Sequence, residues 1–271
     1  MSADRSTLSR RPLGLLGAGA ALAALGGAAT AQAQSIDDVL TKKKLQIGLL
    51  VDFAPFGLAL SANKYEGYDV DVATLMAKYM GVELELVPVT GPNRIPYLLT
   101  GKVDMLVAAF GITPERARQV LFSIPYSSID IMLVASKSTK ITGPEDLKPL
   151  KVGVPRASTP DMAVTAMAPP GTRIMRFDDD ATANQALLSG QIDATGLATT
   201  TLKSFIAMNP AGNYEAKFTL RHQPNGITLR RGQADLHQWV NTFIYYVKNN
   251  GELDAICRKW LGTPLPELPV F

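Results

Sequence analysis

The sequence predicts an α/β fold with a largely parallel sheet, because apolar runs typical of buried strands alternate with helical patterns along its 271 residues. A second observation is that this rhythm repeats. The segment LTGKVD at residues 99–104 has a counterpart in LSGQID at residues 188–193, and in both a helix ends at glycine before a strand begins. The repeat predicts two similar lobes; chance similarity is the alternative, since this punctuation is common.

Each element is predicted from its own local pattern. In the first half the strands lie at residues 45–51, 82–89 and 103–109, and the helices at residues 72–80 and 93–100. In the second half the strands lie at residues 129–136, 151–154, 172–177 and 192–194, with one helix that runs through residue 166 and others at 180–189, 234–249 and 252–261. A polar connection at residues 138–150 separates the halves, and a proline-rich tail at residues 264–269 follows the last helix.

Residues 1–33 have the pattern of a signal peptide. Arg10 and Arg11 precede an apolar run at residues 14–29, and the segment Ala31-Gln32-Ala33 resembles a cleavage site with small residues. The paired arginines fit a twin-arginine signal and an ordinary Sec signal equally well. A permanent transmembrane helix is less expected, because the run is short and rich in glycine and alanine. The protein is therefore predicted to be exported to the periplasm.

Composition argues against nucleic-acid binding, metal binding and classical catalysis. Removal of residues 1–33 takes three arginines and one aspartate from a chain of formal charge +3, which leaves +1 over 238 residues. The basic residues are scattered, so no nucleic-acid partner is expected. Cys257 is the only cysteine, so no internal disulfide is possible and a small buried hydrophobe is expected there. Two histidines without an acidic or cysteine cluster predict no metal, no cofactor and no catalytic residue.

The stretch at residues 108–126, AAFGITPERARQVLFSIPY, predicts a site for a carboxylate. It has the pattern of a strand end, a tight turn at Gly111, a helix start and a second extended run, with Arg116 five residues after the glycine. Such a segment delivers free backbone N–H groups and a guanidinium to one place. Both are good donors to a carboxylate.

The order of short motifs along the chain resembles the bacterial extracellular solute-binding proteins, family 3, the polar amino-acid-binding subunits of ABC importers. The motifs are LxIG, APF, GYDVDVA, NRIP, GKVDM, GITPERARQV, FSIPY, VGV, GQIDA and GITLRR, and they cover residues 36–262. The resemblance implies a type II periplasmic-binding-protein fold with two α/β lobes joined by two crossover strands. It places lobe 1 at residues 37–132 plus 227–271 and lobe 2 at 133–226, with the ligand held between them.

The resemblance also implies which residues of lobe 1 bind the ligand. Arg116 matches the arginine that grips the ligand carboxylate; the alternative is a solvated arginine on a helix face, as is expected for Arg118. Gly111 stands where the family often has serine or threonine, so only its backbone N–H remains to donate. Ala109, like Ala108, replaces polar residues found in some members, so this wall of the pocket is expected to be more apolar than usual.

Five further residues are expected at the cleft. Ser158 and Thr159 match the turn of lobe 2 that holds the same carboxylate at a helix start, a role compatible with a plain N-cap. Phe53 matches an aromatic residue that stacks over the ligand side chain. Arg94 is a candidate for a second ligand group, against a surface arginine at a helix start. Arg156 either reaches the cleft or lies in water.

One departure from the family concerns the ligand amine. In the family an aspartate pairs with the α-ammonium group, but the matching position here is near Ala198 and the segment 194–201 contains no acid. Asp52 is the nearest acid on the other wall. A buried ammonium without a carboxylate is poorly compensated. The sequence therefore suggests a ligand whose amine is absent, masked, or met by hydroxyls and carbonyls.

These features predict a non-enzymatic, monomeric substrate-binding protein that delivers an amino acid or related small carboxylate to the membrane permease of an ABC importer. One alternative is a periplasmic dehydratase-like enzyme of the same fold, which needs a general acid or base in the cleft. No glutamate or histidine falls at an evident cleft position. A second alternative is a ligand sensor for a membrane receptor.

Overall fold

The computed structural model describes residues 35–269, which form an α/β structure. The strands are β1 (Lys44–Leu50), β2 (Asp52–Phe53), β3 (Gly57–Ser61), β4 (Lys64–Glu66), β5 (Glu83–Val89), β6 (Met105–Leu106), β7 (Val120–Ser136), β8 (Lys151–Pro155), β9 (Arg173–Phe177), β10 (Ala194–Ala198) and β11 (Tyr214–Arg230). The helices are α1 (Ile36–Lys42), α2 (Tyr68–Met80), α3 (Arg94–Leu99), α4 (Pro114–Ala117), α5 (Thr159–Met167), α6 (Asp180–Leu188), α7 (Thr199–Met208), α8 (Ala234–Asn249) and α9 (Glu252–Leu261).

Two long strands, β7 and β11, form the centre of the main sheet. Each has 17 residues, and they pair with each other in the antiparallel sense. The strand order is β5-β1-β6-β11-β7-β10-β8-β9. On one side β1 pairs in parallel with β5 and β6; on the other β8 pairs in parallel with β9 and β10. The prediction of two α/β lobes joined by two crossover strands is confirmed.

Helices cover each group of parallel strands. The first lobe contains β1, β5 and β6 with helices α1, α2, α3, α8 and α9, and the second contains β8, β9 and β10 with helices α5, α6 and α7. Helix α8 presents Leu236, Val240, Phe243 and Val247 to the core at the spacing of an amphipathic helix. Burial of each such side chain contributes about 1.5–3 kcal/mol.

Local patterns predicted elements of both kinds, and strands β1, β5, β8 and β9 match their predicted bounds within one residue, whereas helices α1 and α7 were not predicted. Helices α8 and α9 have the predicted bounds. The strand predicted at residues 129–136 begins already at Val120, because β11 pairs with it along its whole length. The strand predicted at 192–194 is shifted to Ala194–Ala198, where it pairs with β7. The strand predicted at 103–109 is reduced to Met105–Leu106.

Four further predictions concern the signal peptide, membrane-spanning helices, the lobe boundaries and Cys257. The predicted signal peptide, residues 1–33, lies outside the described residues. Within residues 35–269 no helix is long and apolar enough to cross a membrane. The predicted lobe boundaries, 132/133 and 226/227, fall inside β7 and β11. Cys257 is buried, and burial raises the pKa of its thiol.

Candidate functional site

A small cavity with charged and apolar walls lies between the two lobes. Its lining residues are Leu50, Phe53, Arg94, Ala109, Ile129, Ile131, Ser158, Thr159, Pro160, Asp180, Gly196, Ala198 and Gln223. Its volume is about 30 Å³, against roughly 300–1,000 Å³ for a usual small-molecule site. The lobes must therefore move apart before a ligand of amino-acid size enters.

The ends of the parallel strands supply most of this lining. Leu50 ends β1, and Phe53 lies in β2 directly after it. Thr159 and Asp180 are the first residues of α5 and α6, which follow β8 and β9. In open α/β sheets the crevice outside the carboxyl ends of the strands is the usual ligand site. The main-chain topology thus brings these distant residues together.

Arg116 joins the two lobes through hydrogen bonds. It is 5% exposed, and its short helix α4 begins after the N-cap Thr113 with Pro114 in the first turn. Arg116 Nη1 donates to the Gly111 carbonyl at 2.8 Å and to Thr159 Oγ1 at 3.2 Å, and Nη2 donates to the Ala157 carbonyl at 2.9 Å.

The charge of Arg116 is met only by neutral oxygens among the residues that the structure describes. Burial, followed by repulsion from Arg94 and Arg221, lowers the pKa of Arg116 to about 8. A negatively charged ligand group at this place would reverse that effect, because an opposite charge favours the ionised guanidinium. Arg116 lies beside the cavity lining, since Thr159 is common to both.

Arg94 is buried too, at 4% exposure, so it is not a surface arginine. Its Nη1 donates to the Ala108 carbonyl at 3.2 Å. Its guanidinium carbon lies 4.5 Å from the centre of the Phe110 ring, and that of Arg116 lies 4.1 Å from the same centre. The aromatic ring therefore supports two cations at one wall of the site. Burial lowers the pKa of Arg94 to about 10.

The backbone at Ala109 is held in a left-handed conformation, with φ of 43°. Its N–H donates to Asp69 Oδ2 at 2.8 Å and to Tyr126 Oη at 3.2 Å, so that donor is used in the core. Burial raises the pKa of Asp69 to about 7, against the lowering effect of the hydrogen bonds donated to it by Tyr126 Oη and the Ala109 N–H and of the charge of Arg94. Asp69 was not predicted as a site residue, but it fixes the wall that Ala109 forms.

Close packing explains why residue 111 is glycine. A Cβ atom here would lie 2.7 Å from Gln223 Cδ and 2.8 Å from Thr159 Oγ1. A serine or threonine, which is expected at this position in related proteins, would require the side chains of Gln223 and Thr159 to shift.

The predicted residues of lobe 2 divide into two groups. Ser158 caps α5, with Oγ accepting from the Asp161 N–H at 3.1 Å, and both Ser158 and Thr159 line the cavity. Arg156 lies outside the cavity lining: its half-exposed side chain is 3.6 Å from the exposed Asp178. Of the eight predicted residues, the cavity gathers Phe53, Arg94, Ala109, Ser158 and Thr159.

Sequence reasoning missed an acid and an amide at this cavity. Asp180 lines it, and burial followed by the charge of Asp52 raises the pKa of Asp180 to about 7, while Arg94 opposes this. Asp52 itself accepts the N–H groups of Asp180 and Ala181 at 3.1 and 3.3 Å, which links the first lobe to helix α6. Gln223 also lines the cavity. The run of three aspartates at 178–180 was the available signal, but the sequence does not say which of them reaches the cleft.

Among residues 35–269 no three histidine, cysteine or acidic side chains are placed to share a metal ion. Two buried arginines, one acid, two hydroxyls and an aromatic ring instead suit a small polar molecule with a negative group. Two lobes that are joined by two crossover strands and have such a site between them are the architecture of a solute-binding protein.

Comparison with known proteins identifies the family. Residues 45–263 match the bacterial extracellular solute-binding proteins, family 3, and the chain belongs to that family. It is 34% identical over 224 residues to the ABC transporter glutamine-binding protein GlnH of Bacillus subtilis, covering 80% of this chain and 81% of the relative.

Solved structures are similar over most of their length. The solute receptor for L-cysteine of Neisseria gonorrhoeae has a TM-score of 0.79 and 31% identity, covering 84% of this chain and 94% of that one. The ancestral amino acid-binding protein AncCDT-1, a precursor of cyclohexadienyl dehydratase, has a TM-score of 0.74 and 31% identity, covering 83% and 98%.

Proposed function

We propose that this protein is the substrate-binding component of an ABC importer and holds an amino acid or related small carboxylate between its lobes. The observation that carries the proposal is Arg116, a buried cation between the lobes whose hydrogen-bond partners are neutral oxygens. In the proposed site its guanidinium holds the ligand carboxylate, with Thr159 and Ser158 contributing from the second lobe. Relatives named for binding glutamine, arginine and cystine support this ligand class.

The proposed binding cycle is a hinge closure between lobe 1, residues 37–132 plus 227–271, and lobe 2, residues 133–226. The carboxylate first docks on Arg116, and closure then adds the contacts of Ser158 and Thr159. The ligand favours the closed form because only that form makes both sets of contacts. The bend takes place within β7 and β11, the two strands that join the lobes.

A screen of thermal stability tests this function directly. Free amino acids and small carboxylates are added one by one, and a ligand that binds the folded protein raises the melting temperature by mass action. We expect a rise with at least one α-amino acid or small carboxylate. No rise across the whole panel would contradict the proposal.

A dehydratase-like enzyme is the second candidate, favoured by Asp180, whose pKa of about 7 suits a general acid or base. The likeness to the ancestor of a dehydratase points the same way. We nevertheless infer a non-enzymatic role, since the curated relatives named above are binding proteins. Incubation with prephenate separates the two: formation of an aromatic ketoacid would establish the enzyme.

The cellular setting follows from the same proposal. Residues 1–33 direct export, and the mature protein works in the periplasm as a monomer whose macromolecular partner is the importer's permease and not a nucleic acid. Fractionation of cells expressing the full chain, with and without residues 1–33, checks the location. Co-purification with a permease or with a membrane receptor separates transport from ligand sensing.

A further inference from the structure

Two side chains of opposite charge line the same small cavity, one from each lobe. Arg94 comes from α3 of the first lobe and Asp180 from α6 of the second. Ala198, near which the family's ammonium-binding acid is expected, lines this cavity as well. An acid is therefore present at the cavity, but it comes from a different element of the second lobe.

The local structure of α6 leaves the Asp180 carboxylate available. Asp179 is the N-cap, and its side chain accepts from the Thr182 N–H at 2.7 Å. Asp52 accepts the backbone N–H groups of Asp180 and Ala181. Two neighbouring acids thus satisfy the start of the nine-residue helix, and within residues 35–269 no group donates a hydrogen bond to the Asp180 carboxylate itself.

Two buried polar atoms at the cavity wall give an independent indication of a polar ligand. Nε of Arg94 and Oε1 of Gln223 have no hydrogen-bond partner among the described residues. Their residues are 4% and 3% exposed, and both line the cavity. The Gln223 amide nitrogen is already used, since it donates to the Ala109 carbonyl and to Asn225 Oδ1. Two residues of the cavity lining thus contain an unpaired donor and an unpaired acceptor, and buried polar atoms without a partner are expected where a polar ligand binds.

We propose that Asp180 binds the ammonium group of the ligand, with Gln223 Oε1 as a second acceptor, and that the ligand is an amino acid with a free amine. The proposal rests on the proposed function, in which the arginines hold the carboxylate. It replaces the inference from position 198 alone that the amine is absent, masked, or met only by hydroxyls and carbonyls. A carboxylate to which no described residue donates, at the same cavity as an unpaired amide oxygen, offers the acceptors that an ammonium group requires.

Charges around Asp180 support this assignment. Asp52 and Asp179 disfavour its ionised form, whereas Arg94 favours it. The positive charge of a ligand ammonium group also favours the ionised form of Asp180. A bound amino acid therefore relieves the repulsion among three acids at the start of α6.

The test compares ligands that differ only in the amine. The panel contains the standard L-amino acids and L-cystine, each beside the acid that lacks the amine, such as L-glutamine beside 4-carbamoylbutanoate. Calorimetry on the wild type identifies the tightest binder. We expect its amine-free partner to bind at least about 30-fold more weakly, as for loss of one member of a buried charge pair.

One variant and its control test whether Asp180 causes the preference for the amino acid over its amine-free partner. Asp180→Asn removes the charge and keeps the shape, and we expect the preference for the amino acid over its amine-free partner to fall to within about threefold. The ratio is read from two ligands on one protein, so a general loss of stability does not mimic it. Asp178→Asn is the matched control, because Asp178 belongs to the same acidic run and its exposed ion pair contributes little.

The outcomes separate this inference from the proposed function. If the wild type binds an amino acid and Asp180→Asn keeps the full preference for the amine, the inference is wrong and the function stands. Tighter binding of an amine-free acid by the wild type also overturns it. If no member of the panel binds, the proposed function fails and the inference fails with it.

Discussion

Arg116 connects two parts of the protein that lie 43 residues apart in the chain. The GITPER segment predicted that the guanidinium lies near the turn at Gly111, and Arg116 donates to the Gly111 carbonyl there. The extent of its burial was not predicted, because this depends on Ala157 and Thr159 of the other lobe. Burial matters chemically, since a guanidinium among neutral oxygens gains more from a carboxylate than one in water.

Arg116→Lys should weaken ligand binding by about 30-fold or more, measured by calorimetry with the tightest binder of the panel. Lysine keeps the charge but lacks the planar fork that holds a carboxylate by two parallel hydrogen bonds. Arg118→Lys is the control, because Arg118 lies exposed two residues further along the chain. Equal affinities for wild type and Arg116→Lys would show that Arg116 does not hold the carboxylate.

Asp69 gives a prediction about pH. Burial raises its pKa from 3.8 to about 7 in the folded protein, so between these values the folded state binds the proton more tightly than the unfolded state. Its contribution to the free energy of unfolding therefore falls as pH rises from about 4 to 7 and stays constant above. Asp69→Asn removes this dependence, and we expect the difference between wild type and variant to change by at least about 1 kcal/mol across the window.

Urea denaturation at pH 4.5 and pH 7 measures that difference. Asp37→Asn, at an exposed position of α1, should retain the pH dependence of the wild type. A parallel pH dependence in the wild type and Asp69→Asn would show that Asp69 is ionised in the folded protein at pH 4.5. In Asp69→Asn the amide oxygen can still accept from the Ala109 N–H, and the amide NH2 group takes the place of the oxygen that accepts from the Tyr126 hydroxyl.

At the scale of elements, helix α6 shows where sequence reasoning succeeds and where it stops. Its bounds were predicted to within one residue, because an aspartate run and Gly190 mark its ends. Which aspartate reaches the cavity depends on how α6 lies against β2 of the other lobe, a contact between residues about 128 positions apart. Local pattern contains no information about such a contact.

The same limit explains the strands. Helices α8 and α9 were predicted to the residue, since an apolar period and Gly251 are local signals. The pairing of β7 with β11 is non-local, so the sequence did not show that the extended run before Tyr126 and the strand at 129–136 form one continuous strand. Strand β3, the middle strand of the small sheet β2-β3-β4, was also missed, because four of its five residues are exposed and its pattern is not that of a core strand.

Asp52→Asn should lower the pKa of Asp180 from about 7, because the Asp52 charge disfavours ionisation of Asp180. Helix α6 should remain formed, since Asp179 caps it independently. Carbon-13 NMR titration of aspartate-labelled protein measures the pKa. Asp193→Asn, whose carboxylate accepts from Lys151 N–H elsewhere in the second lobe, is the control. An unchanged or raised pKa in Asp52→Asn would contradict the coupling of these two acids.

For the whole molecule, the size of the cavity connects structure to kinetics. A space of about 30 Å³ admits no amino acid while the lobes touch, so both entry and escape require the lobes to separate. The closed arrangement is held by several contacts away from the ligand, including the hydrogen bond from Thr201 Oγ1 to the Ala54 carbonyl at 3.1 Å. Because such contacts hold the lobes together, they influence the dissociation rate of a ligand that they do not touch.

Thr201→Val should therefore raise the ligand dissociation rate by about fivefold, the effect of losing one hydrogen bond of about 1 kcal/mol. The variant keeps the side-chain volume and removes the donor, so the lobes part more often. Stopped-flow displacement of the bound amino acid measures the rate. Thr165→Val is the control, because Thr165 Oγ1 bonds to Asp161 within the second lobe. If both variants release the ligand at the wild-type rate, the hydrogen bond from Thr201 to Ala54 does not limit the opening of the lobes.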